Sequence, residues 1–387
     1  MKAAVDKLLK DSVAKGDVPG VVAVATDAKG TTYEGGFGKR VLGQSADMTL
    51  DTVVWIASMT KAITGAAAMQ QVERGKLSLD APAKSVIPYL GEVQVLDGFD
   101  ASGKPKMRKP KRDITLRHLL THTAGFSYEI WNPDIVKYQQ TMSVPGITGC
   151  ENKALTTPLT FDPGDRWDYG INIDWAGKMV EAASGQKLGQ YMKANILGPL
   201  GMDSTAFFIT PEMRGRLAKI HHRGPDGALA PDMELEIPQQ PEFEMGGGGL
   251  YSTVGDYLKF VRMMLNQGKS DRGEQVLKAE TVAQMSKNAM GNCKVGLLKT
   301  SMPPLSNDAE FFPGIEKQWG LSFMINNATA PTGRSAGSLA WAGLANTYYW
   351  IDQKKGVGGV YATQILPFAD TKSLPLFYAF EKAVYDA

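Results

Sequence analysis

The order of strand and helix patterns along the 387 residues is the feature that most limits the possible folds. Residues 20–26 and 31–37 are β-prone runs around a turn, and they predict a hairpin near the N-terminus. The last third of the chain predicts four successive strands, at residues 321–326, 338–341, 347–351 and 358–364. Helical patterns interrupted by proline and glycine dominate the middle. Strands at both ends therefore predict one antiparallel sheet with a helical region inserted between its two halves, an α+β arrangement.

Charge, hydropathy and cysteine content exclude several kinds of partner. The 42 basic and 40 acidic residues give a formal net charge of +2, and hence no reason to expect nucleic acid or an anionic membrane. The basic run at 104–112 contains two prolines and no aromatic residue, so we expect a solvated loop. No apolar stretch is long enough for a secretory signal or a membrane span, so we expect a cytoplasmic protein. Cys150 and Cys293 form no CxxC pair, and we expect two free thiols.

The tetrapeptide Ser58-Met59-Thr60-Lys61 is the first motif that indicates chemistry. A serine and a lysine three positions apart share one face of a helix, so the Lys61 amine can lie beside the Ser58 hydroxyl. Burial lowers the pKa of a lysine, and a neutral amine can then accept the serine proton. The free amides at a helix start also favour developing negative charge. The motif predicts a serine nucleophile with a lysine base, against the alternative of an ordinary helix start with a solvent-facing lysine.

Further motifs follow this tetrapeptide in a fixed order. They are Leu119-Leu120-Thr121-His122-Thr123-Ala124-Gly125, Phe161-Asp162-Pro163-Gly164, Tyr169 and the glycine-rich run 246–253. Together, over nearly the whole chain, they resemble the class C β-lactamase and penicillin-binding-protein superfamily, and within it the family VIII carboxylesterases. The resemblance implies a β-lactamase-like fold. Residues 1–79 and 246–387 would form a discontinuous α/β domain, residues 80–245 a mainly helical domain, and the active site would lie between them.

The resemblance also implies roles for individual residues. Ser58 would be the nucleophile, Lys61 its base or proton shuttle, and Tyr169 a partner in the same proton network. The backbone amides of Ser58 and Leu344 would hold the oxyanion, because donors placed there stabilise charge that appears only in the transition state. The positions that align with the substrate pocket are Tyr128, Asp174, Trp341 and Gly343. No metal ion and no organic cofactor is implied.

Two departures from the β-lactamase pattern favour an esterase. Those enzymes have Tyr-x-Asn, whereas Gly170 and Ile171 follow Tyr169 here, so the amide that contacts a β-lactam side chain is missing. Their third motif is Lys-Thr-Gly or similar, and its cation helps to hold the substrate carboxylate. Trp341-Ala342-Gly343 stands in its place, close to the Trp-Gly-Gly of family VIII esterases. An apolar indole favours uncharged acyl groups.

Two other patterns compete with this interpretation. Gly333-Arg334-Ser335-Ala336-Gly337 matches GxSxG, but an α/β-hydrolase needs a helix after this elbow and a histidine later in the chain. All four histidines precede Ser335, so we interpret the motif as a turn before a strand. His118 and His122 are four positions apart, but a zinc protease would have Glu in place of Leu119. We therefore expect two structural histidines.

The sequence thus predicts a serine carboxylesterase that hydrolyses small, short-chain acyl esters through a Ser58 acyl-enzyme. A β-lactamase or D-alanyl-D-alanine peptidase-like enzyme is an alternative that would use the same residues and turn over β-lactams. An acyltransferase would pass the acyl group to an alcohol or amine, and a binding protein would keep the fold without the activity. Lys61 and Tyr169 would titrate as a coupled pair, so the base in each step stays open. The sequence does not indicate an oligomeric state.

Overall fold

The computed structural model describes residues 1–387, and one large antiparallel sheet organises them. The strands are β1 (Gly20–Asp27), β2 (Thr31–Gly38), β3 (Val54–Trp55), β4 (Val95–Phe99), β5 (Pro105–Arg108), β6 (Ile220–Arg223), β7 (Leu229–Asp232), β8 (Tyr251–Ser252), β9 (Lys317–Trp319), β10 (Met324–Asn326), β11 (Leu339–Gly343), β12 (Thr347–Asp352), β13 (Val357–Ala362) and β14 (Ile365–Leu366). The helices are α1 (Lys2–Ala14), α2 (Thr60–Glu73), α3 (Leu116–Leu120), α4 (Pro133–Met142), α5 (Asn172–Ser184), α6 (Leu188–Met192), α7 (Gly198–Leu200), α8 (Pro211–Arg214), α9 (Val254–Leu265), α10 (Ala279–Met285) and α11 (Ser373–Tyr385).

The main sheet has seven strands in the order β2-β1-β13-β12-β11-β10-β9, and every neighbouring pair is antiparallel. The N-terminal hairpin joins the C-terminal strands through β1 and β13, with Val24 opposite Val360. Sequence neighbours alone would leave two separate β-meanders, and this one pairing makes them a single sheet. The expected α+β class, with one antiparallel sheet built from both ends of the chain, is confirmed.

Aromatic side chains on β12 fix helices to both faces of the sheet. Successive residues of a strand point to opposite faces, so Tyr348 and Tyr349 contact different helices. Phe377 of α11 stacks on Tyr348, with ring centroids 4.7 Å apart. On the other face, the ring of Tyr257 from α9 lies 5.1 Å from that of Tyr349. The sheet therefore lies between α11 and α9, and a helix covers each of its two faces.

Helix α2 is buried along most of its length and carries Lys61 in its first turn. Residues 60–71 are all buried, and the helix packs against α5. Its small residues allow close approach to the turn between β9 and β10: a Cβ at Gly65 would lie 2.2 Å from Ser322 Oγ. The start of α2 is therefore held in position by close packing, as a precise catalytic geometry requires.

The middle of the chain contains two hairpins that the sequence pattern did not predict, β4–β5 and β6–β7. The expectation of a solvated loop at 104–112 is wrong in part, because Pro105–Arg108 forms β5. Arg108 binds both carboxylate oxygens of the buried Asp162, at 2.8 and 2.9 Å. This bidentate ion pair fixes one end of a segment whose composition resembles a loop. The division into two domains stays a prediction.

The GxSxG motif lies in the turn before β11, as expected. The Ser335 backbone N–H donates to Asp352 at 2.8 Å, and no histidine forms a hydrogen bond with the Ser335 side chain. The neighbouring Arg334 forms a buried two-bond ion pair with Glu381 of α11, at 2.5 and 2.8 Å. The motif therefore attaches the C-terminal helix to the sheet. Both cysteines are free thiols, and no helix is long and apolar enough to cross a bilayer.

We predict that Glu381→Gln lowers the free energy of unfolding by about 3–5 kcal/mol, because it leaves the Arg334 guanidinium buried without a countercharge. Urea denaturation would measure the loss. The matched control is Lys382→Gln, one position further along α11, which breaks an exposed pair with Asp386. That change is expected to cost less than about 1 kcal/mol. Equal effects of the two substitutions would contradict the prediction.

Candidate active site

A strained turn presents Ser58 at the start of α2. Residues Ala57–Met59 form a 3-10 turn, and Ala57 has φ of 43°, in the left-handed region that non-glycine residues rarely adopt. Ser58 is half-buried, whereas its neighbours on both sides are buried. One turn later, Lys61 Nζ lies 3.1 Å from Ser58 Oγ. The local i, i+3 geometry expected from the motif is therefore present.

The Lys61 amine is fully buried among oxygen atoms. Besides Ser58 Oγ, its Nζ lies 3.0 Å from the Tyr128 hydroxyl and 2.5 Å from the Gly247 carbonyl oxygen. A neutral amine has two N–H donors and one lone pair. It can donate to Gly247 and Tyr128 while its lone pair accepts the Ser58 proton. The surroundings of Nζ thus match the hydrogen-bonding capacity of the neutral form.

Burial and charge set the protonation of Lys61 and Asp174 together. Desolvation lowers the pKa of Lys61, and the negative charge of Asp174 opposes that shift. Desolvation raises the pKa of Asp174, and the charge of Lys61 opposes that shift in turn. Both shifts favour the uncharged forms, because burial in a medium of low dielectric constant disfavours charge. The site can therefore hold an unprotonated lysine far below the pH at which an exposed lysine loses its proton.

Tyr169 contributes a hydroxyl group that is protonated at neutral pH. Its oxygen accepts a hydrogen bond of 2.8 Å from Trp341 Nε1, and its ring lies 4.7 Å from Lys61 Nζ. Burial raises the pKa of Tyr169. The indole of Trp341, expected as an apolar residue of the substrate pocket, also holds the Tyr169 hydroxyl in place. The phenol can therefore donate its proton while the indole N–H stabilises the oxygen.

Two backbone N–H groups near the Ser58 hydroxyl donate no hydrogen bond within the protein. They belong to Ser58 itself and to Leu344, directly after β11. The approach of these two segments requires glycine at position 343: a Cβ there would lie 2.2 Å from Thr347 Oγ1 and 2.3 Å from the Ile56 carbonyl oxygen. Gly343 thus lets β11 lie against the turn that carries the serine. Two free amides of this kind can bind an oxyanion.

His122 lies behind Tyr169 and fixes the segment that carries it. Its Nδ1 is 3.1 Å from the Asn172 amide nitrogen, and its backbone carbonyl accepts from the Asp168 N–H at 2.9 Å. The imidazole ring centroid is 4.7 Å from that of Tyr169. Burial lowers the pKa of His122 well below the usual value, so the ring stays neutral. This matches the structural histidine that the sequence predicts.

The structure brings most of the predicted site residues together, with one correction. Ser58, Lys61, Tyr169 and Tyr128 meet within hydrogen-bonding or ring contact, and Trp341, Gly343 and Leu344 line the cleft beside them. Asp174 was expected among the substrate contacts, but it lines neither part of the cleft. Its carboxylate is buried behind Lys61, where Oδ1 accepts from the Gly247 N–H at 2.8 Å. Asp174 therefore forms part of the wall around the Lys61 amine.

Sequence reasoning missed the residues that give the cleft its shape. Trp131 lines two narrow apolar clefts, and both clefts also include Ser58 and Leu344. Ile147 and Met245 belong to one cleft and Leu298 to the other. These side chains come from loops distant in sequence, and no motif marks them. The one weak sequence signal for a cleft residue was the position of Trp131, which lies nine residues after His122 of a recognised motif.

Comparison with known proteins extends these observations. The sequence profile of the Beta-lactamase family matches residues 5–380. Monacolin J acid methylbutanoyltransferase from Aspergillus terreus is 32% identical over 97% of this chain and 94% of its own length. Lovastatin esterase from Penicillium rubens is 32% identical over 98% of this chain and 97% of its own length. A simvastatin synthase mutant from Aspergillus terreus superimposes with a TM-score of 0.87 at 31% identity, covering 99% of this chain and 96% of that one.

Fold and relatives together define the class of this protein as an enzyme of the serine β-lactamase type, an acyltransferase or an esterase. The chain belongs to the Beta-lactamase family, whose profile covers nearly all of its length. The resemblance inferred from the motifs is therefore confirmed at the level of the superfamily.

Proposed function

We propose that this protein is a serine carboxylesterase that transfers short apolar acyl groups to water through an acyl-enzyme on Ser58. The observation that carries this proposal is the 3.1 Å contact between Ser58 Oγ and the buried amine of Lys61. A serine hydroxyl is a weak nucleophile until a nearby base removes its proton. The neutral Lys61 amine supplies that base within hydrogen-bonding distance.

In the acylation step, Ser58 Oγ attacks the ester carbonyl carbon and its proton moves to Lys61 Nζ. The carbonyl oxygen becomes an oxyanion that the amides of Ser58 and Leu344 bind. Tyr169 gives its proton to the departing alcohol and regains one from the Lys61 ammonium. Water then enters in place of the alcohol and attacks the acyl carbon, and it gives a proton to Tyr169 as Tyr169 passes its own proton to the neutral Lys61. When the acid leaves, Lys61 returns that proton to Ser58 Oγ. The raised pKa of Tyr169 means that the phenol is protonated at neutral pH and has a proton to give, and the lowered pKa of Lys61 supports its role as base.

The surroundings of Ser58 support an ester rather than a β-lactam as substrate. Trp341 occupies the position of the cation that would hold a carboxylate. Asn172, three residues after Tyr169, does not replace the missing amide. Its side chain is buried and donates to the Phe126 carbonyl at 3.1 Å, away from the cleft. Apolar walls without a carboxylate anchor favour an uncharged substrate.

A second candidate is an acyltransferase, in which an alcohol takes the place of water. The relatives support it, because a methylbutanoyltransferase and a lovastatin esterase are equally identical to this chain, at 32%. Both reactions pass through the same acyl-enzyme and differ only in the acceptor. The acceptor is therefore the quantity to measure.

We predict that p-nitrophenyl butyrate is hydrolysed by the wild type and by Ser335→Ala, while Ser58→Ala loses at least about a thousandfold in kcat/KM. The rate of p-nitrophenol release gives the result, and circular dichroism verifies that each variant is folded. Ser335→Ala is the matched control, since it removes the serine of the competing GxSxG motif. Loss of turnover in Ser335→Ala with retention in Ser58→Ala would overturn the proposed function.

We predict that water is the main acceptor for a butyryl group on Ser58. With p-nitrophenyl butyrate and added 1-butanol, butyric acid should exceed butyl butyrate when the two products are separated by chromatography. The same enzyme without alcohol provides the control. A large excess of butyl butyrate at millimolar alcohol would favour the acyltransferase instead.

We predict a pH dependence that reports the protonation of Lys61. The neutral amine is the active form, so kcat/KM rises with pH through the pKa of Lys61. Because burial lowers that pKa, the rise should occur well below the ordinary lysine value of about 10.4. Asp174→Asn removes a negative charge that stabilises the ammonium, while its amide oxygen can still accept from Gly247. The acidic limb should therefore move to lower pH.

Glu129→Gln is the control for this experiment. Glu129 is also a buried carboxylate, but it accepts from the Ile147 N–H at 3.1 Å and is not among the groups that shift the pKa of Lys61. Its substitution should leave the acidic limb in place. A limb that moves to higher pH in Asp174→Asn would show that Lys61 is not the titrating base.

A further inference from the structure

The cleft divides at Ser58 into two branches. The first branch is walled by Ile130, Ile147 and Met245, and the second by Leu298, Trp341 and Phe368. Ser58, Trp131 and Leu344 belong to both branches, so the serine and one oxyanion amide lie at the point of division. Trp131 is held there by a hydrogen bond of 2.9 Å from its Nε1 to Ser306 Oγ.

This arrangement constrains how an ester can bind. The carbonyl carbon must lie at Ser58 Oγ, and its oxygen must point to the amides of Ser58 and Leu344. Two substituents remain, the acyl chain and the alcohol portion, and there are two branches to receive them. Which branch receives which substituent depends on where the alcohol oxygen can obtain a proton.

Two tyrosine hydroxyls face the reacting atoms, and they differ in the use of their protons. The Tyr128 hydroxyl accepts from Lys61 and directs its own proton to the Asp174 carboxylate, 3.5 Å away. The Tyr169 hydroxyl accepts from Trp341 Nε1, which leaves its proton available to the cleft. Tyr128 lines the first branch and Tyr169 the second. A departing alcohol can therefore be protonated in the second branch and not in the first.

We propose that the second branch binds the alcohol portion of the ester and the first branch the acyl chain, with Leu298 and Ile147 limiting the length of each. This inference rests on the proposed function. Both residues come from loops outside the catalytic group. Ile147 is held by Glu129 through its backbone N–H, and Leu298 by two backbone hydrogen bonds to Ala309, at 3.0 and 2.9 Å. Their side chains can therefore change without moving Ser58, Lys61 or Tyr169.

The experiment measures two ratios of kcat/KM in wild type, Ile147→Ala and Leu298→Ala. The acyl ratio compares p-nitrophenyl hexanoate with p-nitrophenyl acetate, at constant alcohol. The alcohol ratio compares benzyl butyrate with ethyl butyrate, at constant acyl group. A few methylene groups in an apolar pocket change kcat/KM by about tenfold or more. We expect Ile147→Ala to raise the acyl ratio about tenfold and leave the alcohol ratio unchanged. We expect Leu298→Ala to raise the alcohol ratio about tenfold and leave the acyl ratio unchanged.

Three controls make the outcome decisive. Leu200→Ala removes a buried leucine that lines neither branch, and both of its ratios should equal those of the wild type. Ile147→Val and Leu298→Val make smaller changes that keep the core filled, and they replace any alanine variant that does not fold. Exchanged effects, with Ile147 changing the alcohol ratio, would overturn the inference while the proposed function stands. Unchanged ratios in both variants would also overturn it, whereas an inactive wild type would remove the proposed function itself.

Discussion

The burial of the Lys61 amine without a carboxylate in direct contact is the constraint on which the rest of the site depends. A buried ammonium without an ion-pair partner is costly, and a lysine in that position lowers the cost by losing its proton. The surrounding groups fit this state. The Gly247 carbonyl accepts one N–H, the Tyr128 hydroxyl another, and Ser58 faces the lone pair. The Gly247 position needs glycine, because a Cβ there would lie 2.4 Å from an Asp174 carboxylate oxygen.

The large sheet supplies the other half of the site. Its strand β11 brings the Trp341 indole to the Tyr169 hydroxyl and the Leu344 amide to the serine turn. This approach is possible because residue 343 has no side chain. The strand is held between β12 and β10, so its end cannot move independently of the sheet. Packing far from the cleft, such as that of α11 on β12, thus contributes to the position of two groups that act at Ser58.

The sequence predicted those features that local geometry determines. The hairpin and the C-terminal strands have clear turn residues and alternating patterns, and the Ser58–Lys61 contact follows from three residues of helix. Long-range contacts determine the rest. Asp174 was expected to face the substrate, but α5 turns it towards Gly247. The strand Pro105–Arg108 depends on an ion pair with Asp162, more than fifty residues later. Ile147 and Leu298 resemble ordinary core residues, because only the folded chain brings them to one cleft.

The residues that line the two branches of the cleft suggest how the same catalytic residues can serve both esterases and acyltransferases. In the proposed mechanism Ser58, Lys61 and Tyr169 perform acylation whatever the later acceptor, so they cannot select water over an alcohol. That choice depends on how well the space left by the first alcohol holds a second one against water. In this chain the walls of that space include Leu298 and Phe368, neither of which transfers a proton. Relatives of equal identity that are named for different activities are therefore expected to differ at such wall positions rather than at the serine, lysine and tyrosine.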